Sequence, residues 1–267
     1  MRTRSRHHPF GPQSSRRGGA LRAVCMLGVT AVFASAVHAA ETAAAGADAA
    51  KPAAAGPWSG NVKLGYLANS GNTENENVNF AFGVDYTRER WTNGATGSAV
   101  GASDDVGTTG EAYTLGWKST YDLTERDYLF GRVDWLKDRF SGFDQQLSEV
   151  VGYGRRLIVQ PKQTLDVEVG PGARQSELRT GDEENEMILR VGAYYEYKFN
   201  ESAQFNFDLG VQAGAENTFT EAVTALKTKL MGDLAAVVSY TVRNNTDVPD
   251  DSENTDTMTS IALEYSF

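Results

Sequence analysis

The chain has 267 residues, 25 basic and 35 acidic, and 40% of it is hydrophobic. All three histidines (His7, His8, His38) and the single cysteine, Cys25, fall within residues 1–40, so the remainder carries no Ser-His or Cys-His nucleophile, no nitrogen or sulfur metal site and no disulfide. Removing that segment with its six arginines leaves 19 basic against 35 acidic residues, about −16, a balance that repels nucleic acid and anionic membrane surfaces.

Residues 1–40 combine Arg2, Arg4, Arg6, Arg16, Arg17 and Arg22, no acid, an apolar run from Ala23 to Val37 and a small-residue end at Ala39-Ala40. This is the pattern of a cleaved secretory signal peptide, with an apolar run too short to cross a bilayer. Gly18 and Gly19 follow the arginine pair where a twin-arginine signal wants bulk, and Cys25 lacks the small residues of a lipidation site. Residues 41–57 are mostly alanine, broken by Gly46, Pro52, Gly56 and Pro57, and read as a flexible periplasmic linker rather than a helix.

From Trp58 to Phe267 the hydrophobic period is two, which predicts β-strands. Val62, Leu64 and Tyr66 alternate with Lys63 and Gly65; Val78, Phe80, Phe82, Val84 and Tyr86 alternate with Asn79, Gly83 and Asp85. A weak strand over Ala95–Ser103 precedes a clean one carrying Tyr113, Leu115, Trp117 and Tyr121. Segments near Tyr128–Phe140 and Gln145–Val159 follow, with the face blurred at Arg155-Arg156 and Leu157-Ile158-Val159. Alternation returns at Leu165–Val169, Met187–Phe199, Phe205–Val211, Thr224–Leu230 and Leu234–Val242. The last strand sets Thr259, Ile261, Leu263, Tyr265 and Phe267 against Met258, Ser260, Ala262, Glu264 and Ser266. The expected fold is an all-β antiparallel transmembrane barrel of about twelve strands, roughly ten to fourteen.

The connections support that architecture. Those at Thr124–Asp127, Gln160–Gln163, Asn200–Ser202 and Met231–Asp233 are tight, while Ser70–Asn77, Asp104–Gly110, Arg179–Asn185 and Asp247–Thr255 are longer and acidic, as for periplasmic turns and outer loops. Trp58, Tyr86, Trp91, Tyr121, Tyr128, Tyr197, Phe199, Phe205, Tyr265 and Phe267 gather near the tight turns and are expected to ring the inner interface. A soluble β-sandwich offers no reason for an export signal, aromatic clustering and a terminal aromatic strand to coincide. Tyr265 and Phe267 resemble the assembly signal of outer-membrane barrels, which makes the barrel-assembly machinery an expected partner during insertion, and outer-membrane lipid and lipopolysaccharide the expected surroundings.

Ser70-Gly71-Asn72-Thr73, Gly152-Tyr153-Gly154, and above all Ser239–Arg243 through Asp247-Val248-Pro249 to Thr255-Asp256-Thr257 and Tyr265-Ser266-Phe267 resemble the salt-induced outer-membrane protein family, a YdiY-like group classed as a domain of unknown function. The resemblance covers roughly Trp58 to Phe267 and implies an outer-membrane barrel, with no catalytic residues or transport substrate to carry over.

The face opposite the lipid-facing stripe carries Lys63, Asp85, Lys118, Asp122, Arg132, Asp134, Asp166, Glu168, Arg190, Glu196, Lys198, Asp208, Lys227, Lys229, Arg243 and Glu264. A selective pore presents one sign at its constriction, whereas this mixture can pair across a narrow barrel and fill it. Two acidic loops, Asp182 to Glu186 and Asp247 to Asp256, offer weak divalent-cation contacts but not the fixed pattern of a calcium loop. Asp166 and Glu168 stand two apart on one strand among basic residues, which suits ion pairing better than glycoside hydrolysis. The expected protein is therefore a non-enzymatic barrel without cofactor, either structural and stress-responsive or a diffusion channel for small solutes.

Overall fold

The computed structural model describes residues 56–69, 75–104, 107–138, 143–178, 181–248 and 254–267. The expected signal peptide and nearly all of the linker lie outside the described residues. Twelve strands form one closed antiparallel barrel in chain order: β1 (Trp58–Asn69), β2 (Asn75–Arg88), β3 (Trp91–Asp104), β4 (Gly107–Asp122), β5 (Asp127–Asp138), β6 (Phe143–Gln160), β7 (Gln163–Leu178), β8 (Glu183–Lys198), β9 (Ala203–Ala213), β10 (Thr218–Met231), β11 (Leu234–Asn245) and β12 (Thr255–Ser266). β1 pairs with β12 to close the wall. Closure gives every strand a hydrogen-bonding neighbour on both sides, the condition for a sheet to exist in lipid.

Several strands start earlier than their side-chain patterns suggest, β10 among them at Thr218. β3 begins at Trp91 and faces β2 in full register from Arg88↔Trp91, across a turn where Glu89 adopts φ 54°. β4 resumes at Gly107 and β8 at Glu183, so two of the expected longer loops shrink, and Glu183, Glu184 and Glu186 are strand residues rather than loop residues. Hydrated charges do not interrupt pairing once a barrel strand has left the apolar band, so charge is a poor marker of where these strands end.

The outer wall is apolar, with Leu64, Tyr66, Trp117, Val151, Met187, Leu189, Ile261 and Leu263 all exposed. The aromatic ring at the tight-turn end is built from contacting pairs, Trp58–Tyr86 at 4.7 Å, Trp91–Tyr121 at 4.9 Å and Tyr197–Phe199 at 5.1 Å between centroids. Tyr128 is not part of it. Its neighbour Leu129 faces out, and Tyr128 is turned inward and buried with Phe130. Glu149, paired with Val133 and Ala173, places a carboxylate on the exposed outer wall. The blurred stretch of β6 contains a register shift against β7 between Arg156 and Ile158, yet exposure still alternates, with Arg155, Leu157 and Val159 exposed and Arg156 and Ile158 less so.

The interior is lopsided. Large side chains of β5, β6 and β8 pack inside, where Tyr128, Phe130, Val150 and Ile188 form a buried cluster. On the other side β2, β3, β10, β11 and β12 present small residues such as Ala81, Ser98, Ala225, Val237 and Ala262, and the space there stays open.

Candidate functional site

The centre of the interior is Glu168 on β7, 2% exposed. One row of register partners explains how it is reached: Tyr128 on β5 faces Gly154 on β6, Gly154 faces Glu168, and Glu168 faces Gly192 on β8. A Cβ at Gly154 would overlap the Tyr128 ring, and one at Gly192 would meet Arg190 Nη1 at 2.8 Å. The two glycines therefore let a tyrosine and a guanidinium lie flat against the wall and converge on the carboxylate between them. Tyr128 donates its hydroxyl to Glu168 Oε1 at 2.9 Å and Tyr194 donates to Oε2 at 3.2 Å. Lys118 Nζ, from β4, stands 2.5 Å from Oε1, and Arg190 Nη1 is 3.5 Å from Oε2.

The Lys118 ammonium is also enclosed by rings, 4.9 Å from the Tyr194 centroid, 5.8 Å from Phe130 and 5.9 Å from Tyr128. Cation–π attraction holds such a charge without water. Arg190 donates to the Tyr194 hydroxyl at 3.0 Å, and Arg132 Nε donates to Asp134 Oδ2 at 2.5 Å. These groups form a partition across the β4–β8 side of the barrel, cross-linking four strands by side chains.

The remaining predicted residues take their places around it. Lys63 and Lys227 both pair with Glu264, Lys198 with Glu196, Arg156 with Asp122, and Arg243 with Glu221. Asp85, Asp166 and Asp208 line the cavity on the tight-turn side of the partition. Lys229 is exposed near the β10–β11 turn. Glu186 pairs with Arg174, which is 1% exposed and also donates to the Asn217 carbonyl. Among the described residues no group of three or more His, Cys, Asp or Glu side chains is placed to hold a metal ion.

Sequence reasoning missed Tyr128, Tyr194, Arg156, Arg174 and Glu221. Tyr194 hides in the pair Tyr194-Tyr195, where one ring faces in and the other out. The usable signal was Gly152-Tyr153-Gly154: two inward glycines two apart mark where neighbouring rings must lie against the wall.

Three cavities succeed one another along the barrel. The inner one, about 170 Å³, meets Asp85, Lys118, Arg156, Asp166 and Asp208; a central one of about 60 Å³ meets Arg132, Asp134 and Arg190; the outer one, about 340 Å³, meets Lys63, Ser98, Val237 and Arg243. Glu221 lines all three.

The family described as a protein of unknown function, DUF481, matches residues 62–267. The uncharacterized protein YdiY of Escherichia coli (strain K12) is 30% identical over 211 residues, which cover 79% of this chain and 83% of that one. Among solved structures, the COG4313 outer membrane channel from Pseudomonas putida F1 is 13% identical, with 85% of this chain and all of that one covered at a TM-score of 0.52. The NanC porin is 13% identical, with 78% and 98% covered at a TM-score of 0.48. At this identity the likeness to the COG4313 channel is one of fold.

Proposed function

The chain belongs to the DUF481 family and folds as a transmembrane β-barrel, and from that premise we propose that it is a non-enzymatic structural barrel of the outer membrane, responsive to envelope stress, with a lumen kept narrow by its own paired charges. The observation that carries this reading is the partition on Glu168, a carboxylate held by two cations and two hydroxyls inside the wall. A large solute cannot pass without breaking it, and breaking a buried pair is costly. Interior charges of both signs paired with one another also leave no ring of a single sign to select an ion. Tyr265 and Phe267 are the groups we assign to recognition by the assembly machinery; the Phe267 backbone bonds Gly60 in both directions, at 2.9 and 3.0 Å, and so completes the wall.

A second reading, a diffusion channel for small solutes, is favoured by the row of cavities that share Glu221. Planar-bilayer recording separates the two. The purified protein should insert without step currents, and Glu168→Ala should introduce them; reproducible steps from the native protein would establish the channel instead.

A further inference from the structure

The wall is not equally paired all the way round. β1 faces β2 over twelve register positions and β11 faces β12 over eleven, but β1 and β12 meet over five, from Asn61↔Ser266 to Gly65↔Ala262, with Gly60 and Phe267 bonded to each other just below. Both strands continue: β1 runs on to Asn69 and β12 extends back to Thr255. Unbroken register would set Tyr66 opposite Ile261, and pairing stops there. With about 2.6 Å of depth per tilted residue, Ala262 stands about 13 Å above Phe267 in an apolar band about 25 Å tall. The unpaired stretch therefore lies in the outer half of the bilayer.

Backbone groups without partners do not persist against lipid; they persist where they line a cavity. Such a cavity adjoins this seam. The outer cavity of about 340 Å³ touches Asn77 and Asn79 on β2 and Met258, Ser260 and Ala262 on β12, the strands on either side of β1. Above the last register pair, Asn79 Nδ2 donates to Ser260 Oγ at 2.6 Å, passing inside β1 at Gly65, where a Cβ would collide with the Asn79 amide. The floor is apolar, formed by Val100, Ala112, Val223, Ala225 and Val237, and its charged members include Asp138, Arg243 and Asp256.

We propose that the outer half of the β1–β12 seam is a lateral portal, through which an amphiphile with one apolar ring or short chain passes between the outer cavity and the outer leaflet. The apolar floor takes its tail and the charged groups its head. The proposal rests on the narrow-lumen reading for one point only, that the partition stops the molecule from continuing inward.

With no cysteine beyond Cys25, engineered pairs are unambiguous. Tyr66→Cys with Ile261→Cys would staple the seam, and Val62→Cys with Tyr265→Cys, already register partners, serves as the control. The full-length barrel in phospholipid vesicles is given a hexyl alcohol bearing a photoactivatable diazirine, dissolved in the bilayer. Light should label cavity residues such as Ala225 and Val237. Closing the Tyr66/Ile261 pair, by oxidation or by a short bis-maleimide where the thiols stand too far apart, should abolish that label; reductant should restore it after oxidation, and the control staple should leave it intact. Label confined to outer-wall residues such as Tyr240 and Leu263, or cavity label that survives the staple, overturns the portal. Failure of the narrow-lumen reading shows separately, as step currents from the native protein.

Discussion

Replacing Glu168 by alanine is the most direct test of the partition. In the native barrel its two oxygens are shared among Lys118, Arg190, Tyr128 and Tyr194, and Arg190 is itself 5% exposed. The variant leaves two cations near each other with no acid between them and two buried hydroxyls without an acceptor. Removing one partner of a buried pair costs about 3 to 5 kcal/mol, because the stranded charge keeps its desolvation penalty. Glu168→Gln retains the volume and an acceptor for the tyrosines and should cost less, while Arg155→Ala, which removes the exposed partner of Asp127, should cost far less than either. Refolding into bilayers across a urea series measures all three. A loss under about 1 kcal/mol at Glu168→Ala, the range of solvated surface pairs, would refute the partition and describe a lumen wet enough to screen its charges.

The closing strand should discriminate between adjacent positions. Leu263 is 52% exposed on the outer wall near mid-depth and Ala262 lines the outer cavity, so Leu263→Lys should cost about 2 to 4 kcal/mol and Ala262→Lys clearly less in the same urea assay. Gly154→Val drives a side chain into the Tyr128 ring and should lose about 1 to 3 kcal/mol, with tyrosine fluorescence changed. Glu149→Leu removes a carboxylate from the lipid-facing wall and should raise stability by about 1 kcal/mol in the urea series. Deleting Tyr265 to Phe267 takes away three residues of the seam, the Phe267 backbone bonds to Gly60 and the register partners of Asn61 and Val62, and should leave export intact while heat-modifiable barrel disappears from gels of the membrane fraction.

The barrel was legible because a strand with lipid on one side and water on the other writes its environment into every second residue. Leu64 and Lys63, or Leu263 and Glu264, need no further context to be placed. The partition was harder to see. Glu168, Lys118 and Arg190 could be assigned to the inner face, but which charges meet depends on strand stagger, and stagger leaves no mark in a local period. Closeness to a tight turn puts Tyr128 in the aromatic ring on sequence grounds, a rule that ignores which way the ring points. Glu221 was overlooked because it precedes the cleaner run from Thr224. Two adjacent arginines followed by three adjacent aliphatic residues hide the face of Arg156, because neither chemistry changes from one residue to the next there.

The lopsided filling of the interior has a mechanical consequence. A tube braced along one side resists bending unequally: the β5–β8 side is propped by a packed cluster of large side chains, whereas the opposite side has small residues and space behind it, tied across near the seam by the Glu264 ion pairs and the Asn79–Ser260 hydrogen bond. Lateral pressure from a bilayer that thickens, thins or swells under osmotic load is then absorbed by ovalisation of the hollow side alone. The strands of that side carry the elastic deformation while the braced side keeps its shape, so amide protons along β12, β1 and β2 should exchange with solvent sooner than those of β6 and β7.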